Sequence, residues 1–257
     1  MKPGMASMSD FYDRLASLYH LIYPDWNESI ERQAGQLTGI IHERWGGGAK
    51  TVLDVSCGIG TQALGLAQRG FLVTASDLSA AAIARARTEA QRRAVAIDFS
   101  LCDMRAAHTH HQRQFDVVIS CDNSITHLLS DDDLLLALRH IFDYTRPGGG
   151  CLLTVRDYDR VERGSGLVKP YGVREEGDKR YIIFQVWDFV GRIYDMAMYF
   201  VVDDRNSQQL VTHVMRTQYN AVGTDLLLAL MRQAGFTSTE RWDGRFYQPV
   251  LVGNRET

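Results

Sequence analysis

The amino-acid sequence predicts an α/β fold in which a mostly parallel sheet is covered by helices on both faces. Two observations carry this prediction. Between residues 51 and 155, short apolar segments alternate with segments of helical periodicity, and this alternation is typical of parallel strands joined by helices. The apolar segments are also nearly continuous in hydrophobicity, which is expected of strands that are covered on both sides.

The composition indicates one large domain, or one domain that carries an insertion. The chain has 257 residues, of which 45% are apolar, enough for a substantial core. Its net charge is -3 and its Lys and Arg residues are scattered, which argues against nucleic-acid or anionic-membrane partners. No apolar run approaches the roughly 20 residues of a membrane span. No signal-peptide pattern opens the chain, so we expect a cytoplasmic protein.

Neither the cysteines nor the histidines form a metal-binding pattern. The four cysteines are Cys57, Cys102, Cys121 and Cys151. They lack a C-x-x-C pair and are typical of buried thiols in a reducing compartment. A histidine-rich stretch contains His108, His110 and His111. No acid or cysteine stands at a fixed spacing from this stretch, so we predict no metal site.

The N-terminal part, residues 1–50, is predicted to form a helical lid. A flexible tail over residues 1–8 precedes a helix over residues 10–23, for which Ser9 is the expected cap. A second helix follows, from about residue 27 to residue 45. The first helix is rich in aromatic residues, which can cover a bound ligand.

The central part, residues 51–159, alternates strands and helices in chain order. The predicted strands begin at Thr51 and continue at residues 71–76, 94–101, 115–120 and 151–155. The predicted helices cover residues 61–69, 80–93 and 131–144. Ser79 is placed to cap the second of these helices. Three acids open the third helix, which suits the positive end of its dipole.

The segment that follows, residues 160–220, changes in character. It is rich in β-branched and aromatic residues, which favour antiparallel strands. The predicted strands cover residues 181–188, 192–202 and 209–219. We interpret the segment as an insertion that caps the substrate site and offers a surface for a homodimer. Residues 221–257 return to the core, with a helix over residues 224–234 and a strand over residues 248–252.

The stretch T-V-L-D-V-S-C-G-I-G places a glycine turn directly after the first strand. Gly58 and Gly60 permit a sharp turn and a close approach of the backbone to a ligand. With Ala63 they approach a dinucleotide fingerprint, so a nicotinamide cofactor is one interpretation. Asp54 favours another, because a carboxylate beside the turn disfavours a diphosphate but suits a cationic, phosphate-free ligand such as S-adenosylmethionine.

Acidic residues also follow the second and third strands. Asp77 ends the second strand, where a carboxylate can accept hydrogen bonds from both ribose hydroxyls. Asp103 and Met104 end the third strand, where they can hold an adenine through its exocyclic amine and through apolar contact. Because ligands bind at the carboxyl ends of parallel strands, we expect these side chains to converge in one crevice.

Four stretches, in this order, resemble the class I S-adenosylmethionine-dependent methyltransferases. They are V-L-D-V-S-C-G-I-G-T, V-T-A-S-D-L-S, F-D-V-V-I-S and R-P-G-G-G. The resemblance implies a Rossmann-like, seven-stranded, mostly parallel sheet, with the antiparallel strand block as an insertion. It also implies S-adenosylmethionine as the cofactor. The implied cofactor-binding residues in these stretches and at the strand ends are Asp54, Ser56, Cys57, Gly58, Gly60, Asp77, Leu78, Asp103, Met104 and Cys121.

Two further stretches resemble the glycine/sarcosine N-methyltransferases. They are C-D-N-S-I-T-H-L, residues 121–128, and V-R-D-Y-D, residues 155–159. By this resemblance Asn123 contacts the substrate amino acid, Arg156 grips its carboxylate and His127 lines the cofactor pocket.

The same resemblance extends to residues outside these stretches. It implies that an N-terminal group closes over the methionyl carboxylate of the cofactor and that two tyrosines surround the substrate amine. The N-terminal group consists of Tyr12, Arg32, Tyr23 and Trp26, and the tyrosines are Tyr171 and Tyr219.

Two acids depart from this pattern. Asp122 stands where the family has glycine, and Asp157 stands where it has asparagine. They could favour a more cationic substrate or face solvent. The sequence therefore predicts N-methylation of glycine, sarcosine or a similar small amine. Methylation of another small-molecule acceptor and, less favoured, a nicotinamide-dependent oxidoreductase are the alternatives.

Overall fold

The computed structural model describes residues 8–106 and 110–257. The predicted tail therefore lies outside the described residues except for Met8, which begins the first helix. His108 also lies outside them. The predicted boundaries at residues 50, 159 and 220 stay a prediction.

Six helices and eleven strands make up the described fold. The helices are α1 Met8–Leu15, α2 Trp26–Trp45, α3 Thr61–Gln68, α4 Ala80–Arg92, α5 Asp131–Tyr144 and α6 Thr224–Ala234. The strands of the first half are β1 Thr51–Asp54, β2 Leu72–Asp77, β3 Ile97–Leu101, β4 Phe115–Ser120 and β5 Thr145–Thr154. The strands of the second half are β6 Leu167–Glu176, β7 Lys179–Val190, β8 Ile193–Asp204, β9 Gln209–Asn220, β10 Thr237–Trp242 and β11 Val250–Asn254.

Seven of the strands form one mostly parallel sheet, which confirms the predicted fold class. Their order is β10-β11-β5-β4-β1-β2-β3. The five neighbouring strands β5, β4, β1, β2 and β3 run parallel to one another. Strand β11 is antiparallel to both of its neighbours, β10 and β5. The central strand β1 is buried on both faces: Val52 packs into the apolar cluster beneath α2, α3 and α4, and Leu53 packs into the cluster beneath α5 and α6. This burial explains why the strand is apolar on both sides.

Side-chain caps fix where several helices begin. The side chains of Asp25, Ser79 and Ser130 each accept a hydrogen bond from the backbone N–H three residues later, at the starts of α2, α4 and α5. Ser79 was predicted for this role. The predicted ranges of α5, α6 and β4 coincide with the observed ones.

The other four strands form an antiparallel sheet in the order β6-β7-β8-β9, which confirms the predicted inserted block. One face of this sheet packs against α1 in a third apolar cluster. Trp187, Tyr194 and Met196 of the sheet meet Phe11 and Leu15 of the helix in that cluster. The second sheet and α1 therefore stand together over the carboxyl ends of the first sheet.

Several predicted elements require correction. The helix predicted over residues 10–23 is divided into α1 and a 3-10 turn at Tyr19–Ile22. Ser9 lies inside α1 and cannot be its cap. The two pieces change direction between them, and Tyr12 and Tyr19 consequently line the same cavity. The R-P-G-G-G stretch, which lies before the strand predicted over residues 151–155, is part of β5, and its Gly150 pairs with Asn254 of β11.

Two strands were missed. β6 contains Pro170 and Gly172 and many charged residues, and β10 is largely polar, so neither shows strong β periodicity. Both are edge strands, whose formation depends on pairing with a distant neighbour. No helix within the two described ranges is long and apolar enough to cross a membrane.

The packing of α3 on α2 makes a specific stability prediction. A Cβ atom added at Gly65 would lie 2.8 Å from the carbonyl oxygen of Ile30 and 2.6 Å from the Cβ atom of Ala34. Gly65→Ala should therefore lower the free energy of unfolding by about 3 kcal/mol through overpacking. Gly39 is the matched control, because it is also helical and a Cβ there would meet nothing within 4 Å. Gly39→Ala should raise stability by about 0.5–1 kcal/mol.

Urea denaturation of both variants checks this prediction. Equal effects of the two substitutions would contradict the proposed contact between the two helices.

Candidate functional site

A cleft lies at the carboxyl ends of the parallel strands, as the topology requires. We call it the strand-end cleft. Its lining comes from the ends of β1, β2, β3 and β4 and from the N-terminal segment. The lining residues are Met8, Tyr12, Tyr19, Val55, Ser56, Gly58, Asp77, Leu78, Cys102, Asp103, Met104, Ser124, His127 and Leu128.

The glycine turn and Asp77 hold one another in place. Gly58 has φ +53° and Gly60 has φ +95°, so both adopt backbone conformations that favour glycine. The backbone N–H of Gly58 donates to Asp77 Oδ2 at 2.7 Å, and the N–H of Ser79 donates to Asp77 Oδ1 at 2.9 Å. The Asp77 carboxylate is therefore fixed in orientation at the cleft wall, with lone pairs left for further hydrogen bonds.

Asp54 is a buried carboxylate that has no ion-pair partner among the described residues. It is 1% exposed, and its Oδ1 accepts a hydrogen bond from the N–H of Ser56 at 3.1 Å. Its Oδ2 has no hydrogen-bond partner among the described residues. Burial raises the pKa of Asp54 to about 7. An unsatisfied buried carboxylate beside the glycine turn fits a ligand that brings a positive charge to this end of the cleft.

The end of β3 adds a charged and an apolar wall. Asp103 accepts hydrogen bonds from the backbone N–H of Arg105 at 2.8 Å and from its guanidinium at 2.7 Å. Asp103 is thus oriented by its ion pair with Arg105. Met104 and Cys102 provide the neighbouring apolar surface of the cleft.

A second cavity lies between the two sheets, and we call it the inter-sheet cavity. It shares Tyr12 and Tyr19 with the strand-end cleft, so the two spaces adjoin. Its lining residues are Phe11, Tyr12, Leu15, Tyr19, Ile22, Asp122, Asn123, Arg156, Tyr171, Gln185, Met196, Met198 and Tyr219.

Arg156 is a cation surrounded by aromatic rings in this cavity. Its guanidinium carbon lies 4.7 Å from the centre of the Trp187 ring, and one of its nitrogens donates to the Tyr194 hydroxyl at 3.3 Å. No acidic side chain in residues 8–106 or 110–257 forms an ion pair with it within 4.0 Å. Because a buried charge is costly unless it is paired, this arrangement suits an anionic ligand, and the planar guanidinium matches a carboxylate.

Asn123 joins this arginine to the second sheet. Its Oδ1 accepts a hydrogen bond from the backbone N–H of Arg156 at 3.0 Å, and its Nδ2 donates to the Tyr158 hydroxyl at 2.7 Å. The Tyr158 hydroxyl in turn lies 3.0 Å from that of Tyr194. Asn123 therefore has both side-chain groups engaged within the protein, which positions Arg156.

His127 stands between the two cavities in one defined tautomer. Its Nδ1 lies 3.1 Å from the carbonyl oxygen of Gln218, which can only accept, so Nδ1 carries the proton. Its Nε2 therefore accepts from the Tyr12 hydroxyl at 2.7 Å, and its ring packs 4.0 Å from that of Tyr219. Burial lowers the pKa of His127 to about 3, so the imidazole is neutral at physiological pH.

The structure brings most of the sequence-predicted residues to one of the two cavities. Those that line the strand-end cleft are Tyr12, Ser56, Gly58, Asp77, Leu78, Asp103, Met104 and His127. Those that line the inter-sheet cavity are Tyr12, Asn123, Arg156, Tyr171 and Tyr219. Their contacts with a ligand stay predictions.

The remaining predicted residues lie outside the lining of both cavities. They are Tyr23, Trp26, Arg32, Asp54, Cys57, Gly60 and Cys121. Trp26 is buried and donates from Nε1 to Thr61 Oγ1. The Arg32 side chain is 51% exposed and lies 4.0 Å from Glu28. Trp26 and Arg32 thus occupy a support and a surface position, and the predicted ligand roles of all seven residues stay untested.

Sequence reasoning did not identify several residues of the inter-sheet cavity. They are Leu15, Ile22, Gln185, Met196 and Met198, together with Tyr158 and Tyr194 behind Arg156. The alternation of β7 and β8 places Gln185, Met196 and Met198 on one face, which is a signal present in the sequence. Only the packing of the two sheets shows that this face meets the site.

No group of three or more His, Cys, Asp or Glu side chains that could hold a metal ion occurs in residues 8–106 and 110–257.

Comparison with known proteins supports the predicted family. A family model described as a methyltransferase domain matches residues 52–149. A glycine/sarcosine N-methyltransferase of Parasynechococcus marenigrum is 32% identical over 162 residues, which is 63% of this chain and 55% of that protein. A ubiquinone biosynthesis O-methyltransferase of an Azoarcus species is 35% identical over 100 residues, 39% of this chain and 41% of that protein. The chain thus matches about half the length of these curated relatives.

A solved structure extends the likeness to the whole fold. The crystal structure of DesVI from Streptomyces venezuelae superposes with a TM-score of 0.79 at 19% identity, covering 97% of this chain and 98% of that one. The agreement includes the antiparallel sheet as well as the parallel one, since nearly the entire chain is covered. The predicted resemblance is confirmed: residues 52–149 match the model of a methyltransferase domain, and the chain shares the fold of the DesVI structure.

Proposed function

We propose that this protein transfers a methyl group from S-adenosylmethionine to the amine of glycine, sarcosine or a similar amino-acid-like molecule. The observation that carries this proposal is the position of Arg156. Its guanidinium lines a cavity that adjoins the strand-end cleft, and it lacks an ionic partner among the described acids. The relative named as a glycine/sarcosine N-methyltransferase supports the same class of acceptor.

The residues of the strand-end cleft fit S-adenosylmethionine. The unsatisfied Oδ2 of Asp54 suits the positive charge of its amino-acid portion, and the fixed carboxylate of Asp77 suits its ribose hydroxyls. Asp103 and Met104 would hold the adenine. When bound, S-adenosylmethionine supplies a methyl group on a cationic sulfur, and this group passes to the amine nitrogen as the carbon–sulfur bond breaks.

The protein contributes chiefly by positioning the acceptor. Arg156 would bind the acceptor carboxylate through two parallel N–H···O hydrogen bonds, and Asn123 holds the backbone of that arginine. Tyr171 and Tyr219 would orient the amine. Good orientation can supply roughly 7–11 kcal/mol of the barrier reduction in favourable cases. The amine attacks as its neutral form, so its extra proton is released to water first.

The N-terminal helix would exclude water from this reaction. Tyr12 and Tyr19 line both cavities, and Tyr12 is tied to His127 across the boundary between them. We therefore include the lid role of the N-terminal part in the proposal.

O-methylation is the second candidate, because one relative is named as a ubiquinone biosynthesis O-methyltransferase. A hydroxyl acceptor must lose its proton as it reacts, and His127 has both ring nitrogens engaged in hydrogen bonds within the protein. This arrangement favours an amine over a hydroxyl. A nicotinamide cofactor is disfavoured by the unsatisfied Asp54 carboxylate near the glycine turn. The cytoplasmic location and the homodimer stay predictions.

Removal of the Arg156 guanidinium tests the acceptor class. We expect Arg156→Ala to lower kcat/KM for sarcosine by about 100-fold or more, because a charge-assisted bidentate contact in a buried site is lost. The affinity for S-adenosylhomocysteine should change less than threefold, since Arg156 lies outside the strand-end cleft lining. Methyl-transfer kinetics and calorimetric titration measure the two quantities.

Arg160→Ala is the control for this experiment. The Arg160 side chain is 84% exposed and contacts Asp157 at 3.3 Å, so its loss should leave kcat/KM within twofold. Full activity of Arg156→Ala on sarcosine would contradict the proposed acceptor site.

Asp54→Asn tests the cofactor site through pH. The pKa of Asp54, about 7 in the folded protein, exceeds the unfolded value of about 3.9. Between these two values the folded state retains a proton that the unfolded state has released, so this group lowers the free energy of unfolding as pH rises from about 4 to about 7. Asp54→Asn should abolish this decline, giving the ligand-free protein a melting temperature roughly 3 °C higher or more at pH 8 but a similar one at pH 4.

The same variant should bind S-adenosylhomocysteine at least tenfold more weakly, because a charged hydrogen bond to its ammonium group is lost. Thermal denaturation across pH and calorimetry measure the two effects. Unchanged affinity would remove Asp54 from the cofactor site.

A further inference from the structure

Asp122 is the second uncompensated charge of the inter-sheet cavity. It follows β4 directly and lines the same cavity as Arg156. Its carboxylate accepts hydrogen bonds from the hydroxyls of Tyr23 at 3.0 Å and Tyr247 at 2.6 Å. Both donors are neutral, and no Lys, Arg or His in the described ranges forms an ion pair with Asp122 within 4.0 Å. No cation among the described residues therefore neutralises this carboxylate.

The carbonyl oxygen of a buried amide beside Asp122 has no hydrogen-bond partner among the described residues. Gln248 is 8% exposed, and its Nε2 lies 3.5 Å from Asp122 Oδ1. Its Oε1 has no hydrogen-bond partner in the part of the chain that the structure describes. An unmade hydrogen bond at a buried acceptor destabilises the folded state, because the acceptor has lost its hydration. The neighbourhood of Asp122 therefore contains one unsatisfied buried acceptor, Gln248 Oε1.

The backbone at this point is in an unfavourable conformation. Asp122 has φ +56° and Asn123 has φ +68°, in a region that glycine adopts without penalty. Non-glycine residues in such conformations are strained and are concentrated at ligand sites. A side chain at position 122 is thus present despite a local cost to the fold.

The other acid that departs from the family pattern is already neutralised. Asp157 contacts the guanidinium of Arg241 at 2.6 Å and that of Arg160 at 3.3 Å, and it lies outside the lining of the inter-sheet cavity. The two departures therefore differ: Asp157 belongs to an ion-pair network with Arg160 and Arg241, whereas Asp122 lines the cavity and has no ion-pair partner among the described residues.

We propose that Asp122 binds the ammonium group of the methyl acceptor, so that the inter-sheet cavity holds a zwitterion at both of its charged ends. The carboxylate end, at Arg156, rests on the proposed function; the ammonium end is the new assignment. Opposite uncompensated charges in one cavity are complementary to a molecule that carries both charges. Asp122 acts before the chemistry: it binds the protonated amine, which then releases one proton to water and attacks as the neutral form. Asp122 therefore contributes to the affinity for the acceptor, and its loss should raise the KM for the acceptor.

Two isosteric ligands separate the ammonium contact from the carboxylate contact. Sarcosine and methoxyacetate share the carboxylate and the chain length, but an ether oxygen in methoxyacetate replaces the ammonium group of sarcosine. We expect the wild-type protein, saturated with S-adenosylhomocysteine, to bind sarcosine at least tenfold more tightly than methoxyacetate in calorimetric titrations. Asp122→Asn should reduce this preference to less than threefold, with methoxyacetate affinity unchanged within twofold.

Two more variants complete the experiment. Asp122→Gly should lose the preference for sarcosine in the same way. Glycine also adopts the left-handed backbone conformation of position 122 without penalty. With two variants, a folding defect in one of them does not decide the result. Asp157→Asn is the matched control and should keep the wild-type preference. A wild-type protein that does not prefer sarcosine, or an Asp122→Asn protein that still does by tenfold, overturns the inference.

Turnover distinguishes this inference from the proposed function. Methylation of sarcosine combined with an unchanged preference in both Asp122 variants refutes the role of Asp122 alone. A preference that depends on Asp122, without methyl transfer to any small amine, supports the ammonium site and refutes the proposed activity.

Discussion

The hydrogen bonds of Asn123 are the interaction on which the arrangement of the site depends. Its side chain accepts from the backbone of Arg156 and donates to Tyr158, which reaches Tyr194 on the second sheet. One buried amide thus joins the end of β4, the segment after β5 and the antiparallel sheet. Without these bonds, the backbone N–H of Arg156 and the hydroxyl of Tyr158 would each lose a partner, at a cost that buried groups do not recover from water. The position of the inter-sheet cavity relative to the strand-end cleft follows from this junction.

The charges of the site are held by aromatic rings and neutral donors. Arg156 lies against Trp187 and Tyr194, and Asp122 is held by the hydroxyls of Tyr23 and Tyr247. Rings and hydroxyls fix a charged side chain without neutralising it, so the charge stays available to a ligand. Asp54 is also held by a neutral donor: one backbone N–H orients its carboxylate and leaves Oδ2 without a hydrogen-bond partner among the described residues. The protein therefore carries an electrostatic cost that a ligand of complementary charge can relieve.

Local patterns predicted the parallel sheet, the glycine turn and the acids at the strand ends, because each depends on a short stretch of sequence. The start of α4 at its Ser79 cap, and the bounds of α5 and β4, have the same local origin. The break between α1 and Tyr19 was not predictable in this way, since it is stabilised by contacts of the N-terminal segment with the second sheet. Edge strand β6 and the cavity residues Met196 and Met198 depend on pairing and packing across long sequence separations. The sequence showed that position 122 carries an acid, but it did not show that this acid lines the inter-sheet cavity.

A crystal structure of the protein with S-adenosylhomocysteine and sarcosine tests the central claim most directly. The account predicts the nucleoside in the strand-end cleft and the sarcosine carboxylate within about 3 Å of the Arg156 guanidinium nitrogens, as for charge-assisted hydrogen bonds. It also predicts that the sarcosine nitrogen faces the sulfur of the cofactor product. Sarcosine bound with its carboxylate away from Arg156, or S-adenosylhomocysteine bound outside the strand-end cleft, would contradict it.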